Sequence, residues 1–185
     1  MVRANVHVLD GGSVETYFRD ATRAATGVDG FLEGQLWEKA SHSGQESGDY
    51  LMLWHYRDRK SAEQALRVVA NERPLASRQV VHHRPADVSR IRVRSTRRDK
   101  LPEGEFLSAS VRVANPGYGE DLVEEVDRIF EELGLIPGFR GAITGANDTL
   151  PEEVVGLATW NSSEAYQASL PDGAFVDVEL FERVA

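Results

Sequence analysis

The chain has 185 residues, with 21 Lys and Arg against 30 Asp and Glu, a formal net charge of −9 and no cysteine. That acidic balance argues against nucleic acid or an anionic membrane as the main partner, and the missing cysteines remove disulfides, thiolate chemistry and cysteine-ligated iron–sulfur clusters. There is no apolar leader at the N-terminus and no apolar run of membrane-spanning length, so the expectation is a soluble, cytoplasmic protein with no membrane partner.

In chain order, Asn5–Leu9 alternates and breaks at Asp10-Gly11-Gly12, a strand followed by a turn. Ser13 is the expected N-cap of a helix whose Val14, Tyr17, Phe18, Ala21 and Ala25 recur at intervals of three and four. Phe31–Ala40 reads as a second strand and the polar run 41–48 as a hairpin loop. Asp49–Arg57 reads as a third strand, with Tyr50, Met52, Trp54 and Tyr56 on one face and Leu51, Leu53 and His55 on the other. Two apolar faces predict a central position in the sheet. Ser61-Ala-Glu-Gln64 has the form of a capping box opening a helix to about Asn71, ended by Pro74, with one or two further turns over Leu75–Val81. Val88–Thr96 is the predicted fourth strand.

A charged segment with Pro102 and Gly104 follows, and the plan then repeats. Phe106–Ala114 is a strand and Asn115-Pro116-Gly117 a turn. Leu122, Val126, Ile129, Phe130 and Leu133 mark a helix; Phe139–Thr144 and Val154–Trp160 are strands. Asn161 is the expected cap of a short helix to about Ser169, and Pro171-Asp-Gly173 turns the chain into a closing strand over Phe175–Val184. The helix-to-strand junctions match most closely, Gly27-Val-Asp-Gly30-Phe31 against Gly134-Leu-Ile-Pro-Gly138-Phe139. In each, the first glycine is expected to cap the helix in the left-handed region and the Gly-Phe step to start the strand. The domains expected are residues 1–97, a linker at 98–104, and residues 105–185. The predicted fold class is α+β: two ferredoxin-like β-α-β-β-α-β repeats with antiparallel sheets packed as an intrachain pseudo-dimeric α+β barrel.

Leu135-Ile-Pro-Gly-Phe139 and Ala158-Thr-Trp160-Asn-Ser-Ser-Glu-Ala-Tyr166, set in that element order, resemble the antibiotic biosynthesis monooxygenase (ABM) family of the dimeric α+β barrel superfamily. The resemblance covers nearly the whole chain, once per half. It implies a monooxygenase or oxidase acting with dioxygen on an aromatic small molecule, polyphenolic or polyketide-like, with no cofactor. It also implies an intrachain pseudo-dimer, with room for further homo-oligomerisation. Asn5 matches the position of an active-site Asn in haem-degrading members, but the Trp and haem-ligating His those members place after strand three have no match in Ser61–Val81. Trp160 and Tyr166 look like the Trp and Tyr of quinone-forming members, whereas the Asn expected earlier in that strand is replaced by Gly156 or a neighbour.

Read from the residues themselves, Asn5 and His7 share one strand face, with Ser110 and Arg112 as their expected counterparts. If that face looks toward the helices, His7 could take a phenolic proton while Asn5 orients the substrate. They are the candidate catalytic pair. Tyr50, Met52, Trp54 and Tyr56, with Trp160 and Tyr166, are the candidate substrate-binding residues, ordinary core packing being the alternative for each. The first half, with its longer segment between strands three and four, is expected to hold the larger cavity. The His82-His83 doublet has no carboxylate at a chelating interval, so no metal site is expected. Stripes of Arg90, Arg92 and Arg94 against Asp177 and Glu179 would complement each other if the closing strands meet. The other readings left open are a non-catalytic binding or carrier protein, and an oxygenase using reduced flavin from a partner.

Overall fold

A computed structural model of the chain describes residues 1–8, 11–40, 48–71, 80–81, 88–93, 100–171 and 178–185, with the backbone alone for residues 2, 4–8, 11–13, 66, 69–71, 80–81 and 88–93. The expectations for Asp10, the loop 41–47, Pro74, Leu75, His82-His83, Arg94, the turn Asp172-Gly173, Phe175 and Asp177 lie outside the described residues, as do those for the side chains of Asn5 and His7. The chain is α+β and divides into two compact units, Met1–Arg90 with Val184–Ala185, and Ile91–Arg183.

In the first unit, β1 (Val2–Val8), α1 (Gly11–Thr26), β2 (Phe31–Lys39), β3 (Asp49–Tyr56) and α2 (Arg59–Asn71) are followed by the two-residue β4 (Val80–Val81) and by β5 (Val88–Val93), whose first three residues belong to this unit. β3 pairs antiparallel with both β1 and β2, and Val2–Ala4 of β1 pair with Val88–Arg90, so the order is β5–β1–β3–β2. β3 is therefore central, and Tyr50–Tyr56 are buried on both faces. Val80 and Val81, expected within one or two further helical turns, instead form the short β4, which pairs with His7 and Val8. The second unit contains β6 (Phe106–Val113), α3 (Gly119–Leu133), β7 (Phe139–Asn147), β8 (Glu153–Trp160), α4 (Ser163–Ala168) and β9 (Glu179–Arg183). Its order is β9–β6–β8–β7, with Ile91–Val93 alongside Gly145–Asn147 of β7. Each unit thus has its first and third strands at the centre, the ferredoxin-like arrangement, reached independently from each set of pairings.

The apolar stripe of α1 packs Val14, Tyr17, Phe18, Ala21 and Ala25 on β3, where Phe18 stacks on Trp54 with centroids 6.1 Å apart. In α3, Val123 and Val126 are the buried positions, and Glu120 and Asp121 sit where the helix dipole favours negative charge.

Three helix ends differ from the sequence reading. α1 begins at Gly11, before Ser13. α2 is capped by Asp58, not Ser61: its carboxylate accepts from the Ser61 backbone N–H at 2.9 Å and from the Ser61 hydroxyl at 3.1 Å. Those bonds, the backbone one first, hold the Asp58 carboxyl below the usual carboxylate range. α4 is capped by Ser162, not Asn161, through the Ala165 N–H. The residue that accepts from the third helical N–H is the cap, and in both cases a longer-looking pattern hid it by one to three positions.

The junction glycines also differ. Neither Gly27 nor Gly134 has a positive φ, and Gly134 is helical at φ −58° and ψ −17°. The left-handed residues are Gly30 (φ 83°) and Gly138 (φ 91°), one step before Phe31 and Phe139. The carbonyl of each accepts from the residue that leaves the third strand, Arg57 and Asn161, at 2.8 Å. A Cβ on Gly30 would stand 2.8 Å from the Ser61 hydroxyl, and one on Gly138 2.5 Å from the Ala165 Cβ. Gly117 is also left-handed (φ 86°) but has nothing within 4 Å. Gly117→Ala should therefore cost only the conformational strain, about 1–2 kcal/mol. Gly138→Ala should cost about 1–3 kcal/mol more because it also overpacks the first turn of α4. Urea unfolding of the two variants checks this, and equal costs would mean that the contact with Ala165 yields freely.

Candidate functional site

The pairs Phe31↔Tyr56 and Phe139↔Trp160, each followed by a bulge, put the two units in register. Counting back along β3 and β8, Met52 matches Gly156 and Trp54 matches Ala158. Across the ladders, Ala4, Met52 and Leu36 form one row in the first unit, and Ser110, Gly156 and Thr144 form the same row in the second. The neighbouring row is Val2, Trp54 and Gly34 in the first unit and Ser108, Ala158 and Ala142 in the second. By this register Asn5 pairs with Leu51 and His7 with Asp49, the alternate set of β3 from Met52 and Trp54. Their matches in the second unit are Val111 and Val113, not Ser110 and Arg112. The expected counterpart was one residue off, and in a strand one residue exchanges the faces.

In the first unit Tyr50, Met52, Trp54 and Tyr56 come together as one packed cluster with α1 and α2. The polar ends of two of them are already engaged. Trp54 Nε1 donates to Thr22 Oγ1 at 3.0 Å, and the Tyr56 hydroxyl donates to the Ala25 carbonyl at 3.2 Å. The opposite face holds a polar chain that sequence reasoning missed: Trp37 Nε1 donates to Gln35 Oε1 at 3.2 Å, and Gln35 Nε2 to Glu33 Oε1 at 2.5 Å. His55, opposite Glu33 in register, and Arg3 are buried on the same face. Only the alternation of β2 against β3 signalled it, because Arg3, Glu33, Gln35 and His55 each lie between apolar or glycine neighbours on their strands.

In the second unit Trp160 and Tyr166 do meet. Their rings are edge to face at 5.8 Å, and Phe139 stands edge to face on Trp160 at 5.2 Å. Trp160 Nε1 donates to Ser108 Oγ at 2.9 Å, and Ser108 in turn reaches the Ala158 carbonyl at 3.4 Å. Burial pushes the Tyr166 phenol above its ordinary pKa, so at neutral pH it is a hydrogen-bond donor and not a base. Thr144, on the same face, is fully buried. Along this helix-facing side, β6, β7 and β8 present hydroxyls, small residues and Trp160, which Tyr166 of α4 meets. The one charged group on it, Arg112, lies at the end and is 3.9 Å from Glu125. Ser108 and Thr144 escaped the sequence reading, and Ser110 entered it only as the expected counterpart of Asn5, because Ser and Thr among alternating apolar residues look like ordinary strand formers. No group of three or more His, Cys, Asp and Glu stands together among the described residues.

No protein-family model matches the chain, and no curated protein sequence does. Solved structures do match it, over nearly its full length. An anthrone oxidase-like protein superposes with a TM-score of 0.66 at 12% identity, covering 100% of this chain and 91% of its own. A candidate monooxygenase from Fusobacterium nucleatum gives 0.62 at 13% identity, covering 98% and 91%. A ferredoxin-fold protein of Listeria monocytogenes, related to antibiotic biosynthesis monooxygenases, gives 0.55 at 7% identity, covering 100% and 95%. At these identities the likeness is one of fold: the chain has the fold of ABM-like monooxygenase proteins, the architecture that its junction and Trp–Tyr segments resemble.

Tyr56 offers a check on the packed reading of the first-unit cluster. Burial pushes its phenol up to about 12 from an ordinary value of 10.0. Because the folded state holds this proton more tightly, the associated stability is complete below pH 10 and is lost as pH rises from 10 to about 12. Unfolding midpoints measured from pH 8 to 12 should fall more steeply in the wild type than in Tyr56→Phe. That variant itself gives up about 1 kcal/mol at neutral pH with the bond to Ala25. Parallel curves would show the phenol to be freely solvated.

Proposed function

We propose that the protein is an ABM-type oxygenase acting on a hydroxylated aromatic small molecule, with its site on the helix-facing side of the second unit. The observation that carries this reading is the meeting of Trp160 and Tyr166 beside a row of buried hydroxyls, in a fold shared with monooxygenase-like and anthrone oxidase-like proteins. The chain is read as a tandem duplication whose halves act as an intrachain pseudo-dimer, consistent with the equal strand orders of the two units. A soluble, cytoplasmic setting is part of the same reading; no described helix is long and apolar enough to cross a membrane.

The reaction that suits such a site is a phenol or anthrone-type carbon combining with dioxygen, one oxygen atom entering the product carbonyl and the other leaving as water. An electron-rich substrate anion is the species that reacts. Tyr166, kept protonated by burial, donates a hydrogen bond to the oxygen on which charge develops, and the aromatic edges of Phe139 and Trp160 orient the ring. In this reading the unit stabilises an anion and leaves the proton to solvent. Metal, flavin and haem have no part in this scheme.

Asn5 and His7 remain the competing proposal, a base and an orienting amide in the first unit. Oxygen consumption with anthrone as the first substrate separates these readings. Tyr166→Phe should lower kcat about a hundredfold with a smaller change in KM, as expected for a donor used chiefly in the transition state. A loss confined to Asn5→Ala and His7→Ala instead moves the site to the first unit. Saturable binding without oxygen uptake makes the protein a carrier, and uptake only with added reduced flavin makes it a flavin-dependent oxygenase.

A further inference from the structure

The second unit places hydroxyls where the first unit, in the same register, places hydrocarbon. Ala4, Met52 and Leu36 cross the first sheet; Ser110, Gly156 and Thr144 cross the second. Met52 and Leu36 are fully buried and fill their row. In the second unit Thr144 is equally buried, yet among the described residues its Oγ1 has no hydrogen-bond partner. A hydroxyl kept out of water without a partner is destabilising, and a Leu at the matching position shows that the fold does not require one there.

The room above this row is taken by Phe130 of α3. A Cβ on Gly156 would stand 3.0 Å from Phe130 Cζ, 2.9 Å from Ser110 Oγ and 3.1 Å from Val126 Cγ1, so the ring tip rests directly on the glycine backbone. Phe130 is only half buried, and it packs against two hydrophobic clusters of the unit, joining Val123, Val126, Ala146 and Val154 to the group around Trp160 and Tyr166.

We infer that Ser110, Gly156 and Thr144 form the polar recognition subsite for a ligand whose ring takes the place of Phe130 over Gly156. This rests on placing the site in the second unit. The two hydroxyls flank the glycine across three strands, and each can both donate and accept. Neither is charged, and Arg112, the nearest cation on this face, lies at its end beside Glu125. The group they read is therefore a neutral hydroxyl or carbonyl on a planar apolar body, not a carboxylate or phosphate. Gly156 lets the ring approach the strand closely, as no residue with a side chain would.

The test compares 1-naphthol with naphthalene by calorimetric titration, while NMR follows the indole N–H signal of Trp160, one of three tryptophans. Both probes should move that signal, and 1-naphthol should bind more tightly. Thr144→Val, which keeps the shape and removes the oxygen, should weaken 1-naphthol about tenfold, leave naphthalene unchanged and raise the thermal midpoint, because an unpaired hydroxyl is gone. Ser110→Ala should also narrow the gap between the probes. If the Trp160 signal moves but Thr144→Val affects both probes alike, or lowers the midpoint, the inference is overturned and the site stands. If the signal does not respond to either probe, the second-unit site itself is wrong and the inference falls with it.

Discussion

Each unit turns on a single left-handed glycine pressed against the first turn of its second helix. At Gly30 the neighbour is Ser61, and at Gly138 it is Ala165, each the third residue of a helix whose cap is Asp58 or Ser162. The same glycine carbonyl takes the backbone N–H that ends the third strand. One residue therefore fixes where the first helix hands over to the second strand, where the third strand stops, and how closely the second helix approaches. Only a residue without a side chain can do all three, because positive φ and the short approach exclude a Cβ for separate reasons. Tyr56 in the first unit and Trp160 in the second then fall opposite the Phe that follows the glycine.

From that common frame the two units part in chemistry. The first places Met52 and Leu36 over its sheet, each contributing about 1.5–3 kcal/mol on burial. Its cluster with α1 and α2 is continuous, and the Trp54 and Tyr56 polar groups are bonded within it. The second gives up that filling for Gly156 and Thr144. On its helix-facing side Phe130 packs against two clusters, one around Val123, Val126, Ala146 and Val154 and one around Trp160 and Tyr166.

The longer elements and the centrality of β3 were legible because they depend on periodicity: three-and-four spacing in α1 and α3, two apolar faces in β3. The Gly-Phe junctions were legible as a repeat. Which glycine is left-handed was not, because Gly27 and Gly30 look alike until a neighbouring helix is placed against one of them. Caps failed for a related reason: Asp58 and Ser162 were passed over for Ser61 and Asn161, whose neighbours made better patterns. For the candidate site, Trp160 and Tyr166 could be picked out as a resemblance. The row of Ser110 and Thr144 could not, because it runs across strands far apart in sequence, and only cross-strand register brings its members together. The same register that was invisible in the sequence exchanged Ser110 for Val111 as the match of Asn5.

The bulges after Phe31 and Phe139 leave one residue unmatched in each second strand, Leu32 and Arg140, because Glu33 and Gly141 take up the pairing again. Both unmatched residues are exposed, which accounts for a large aliphatic side chain standing in water at Leu32, 45% exposed, beside a strand that is otherwise half or fully covered. The bulge acts as a phase change: alternation read from one side of it predicts the wrong face on the other. Drift in sequence should therefore concentrate at this single position while its immediate neighbours stay constrained. It is also the natural place to attach a reporter group close to the helix junction without touching the sheet's hydrogen bonds.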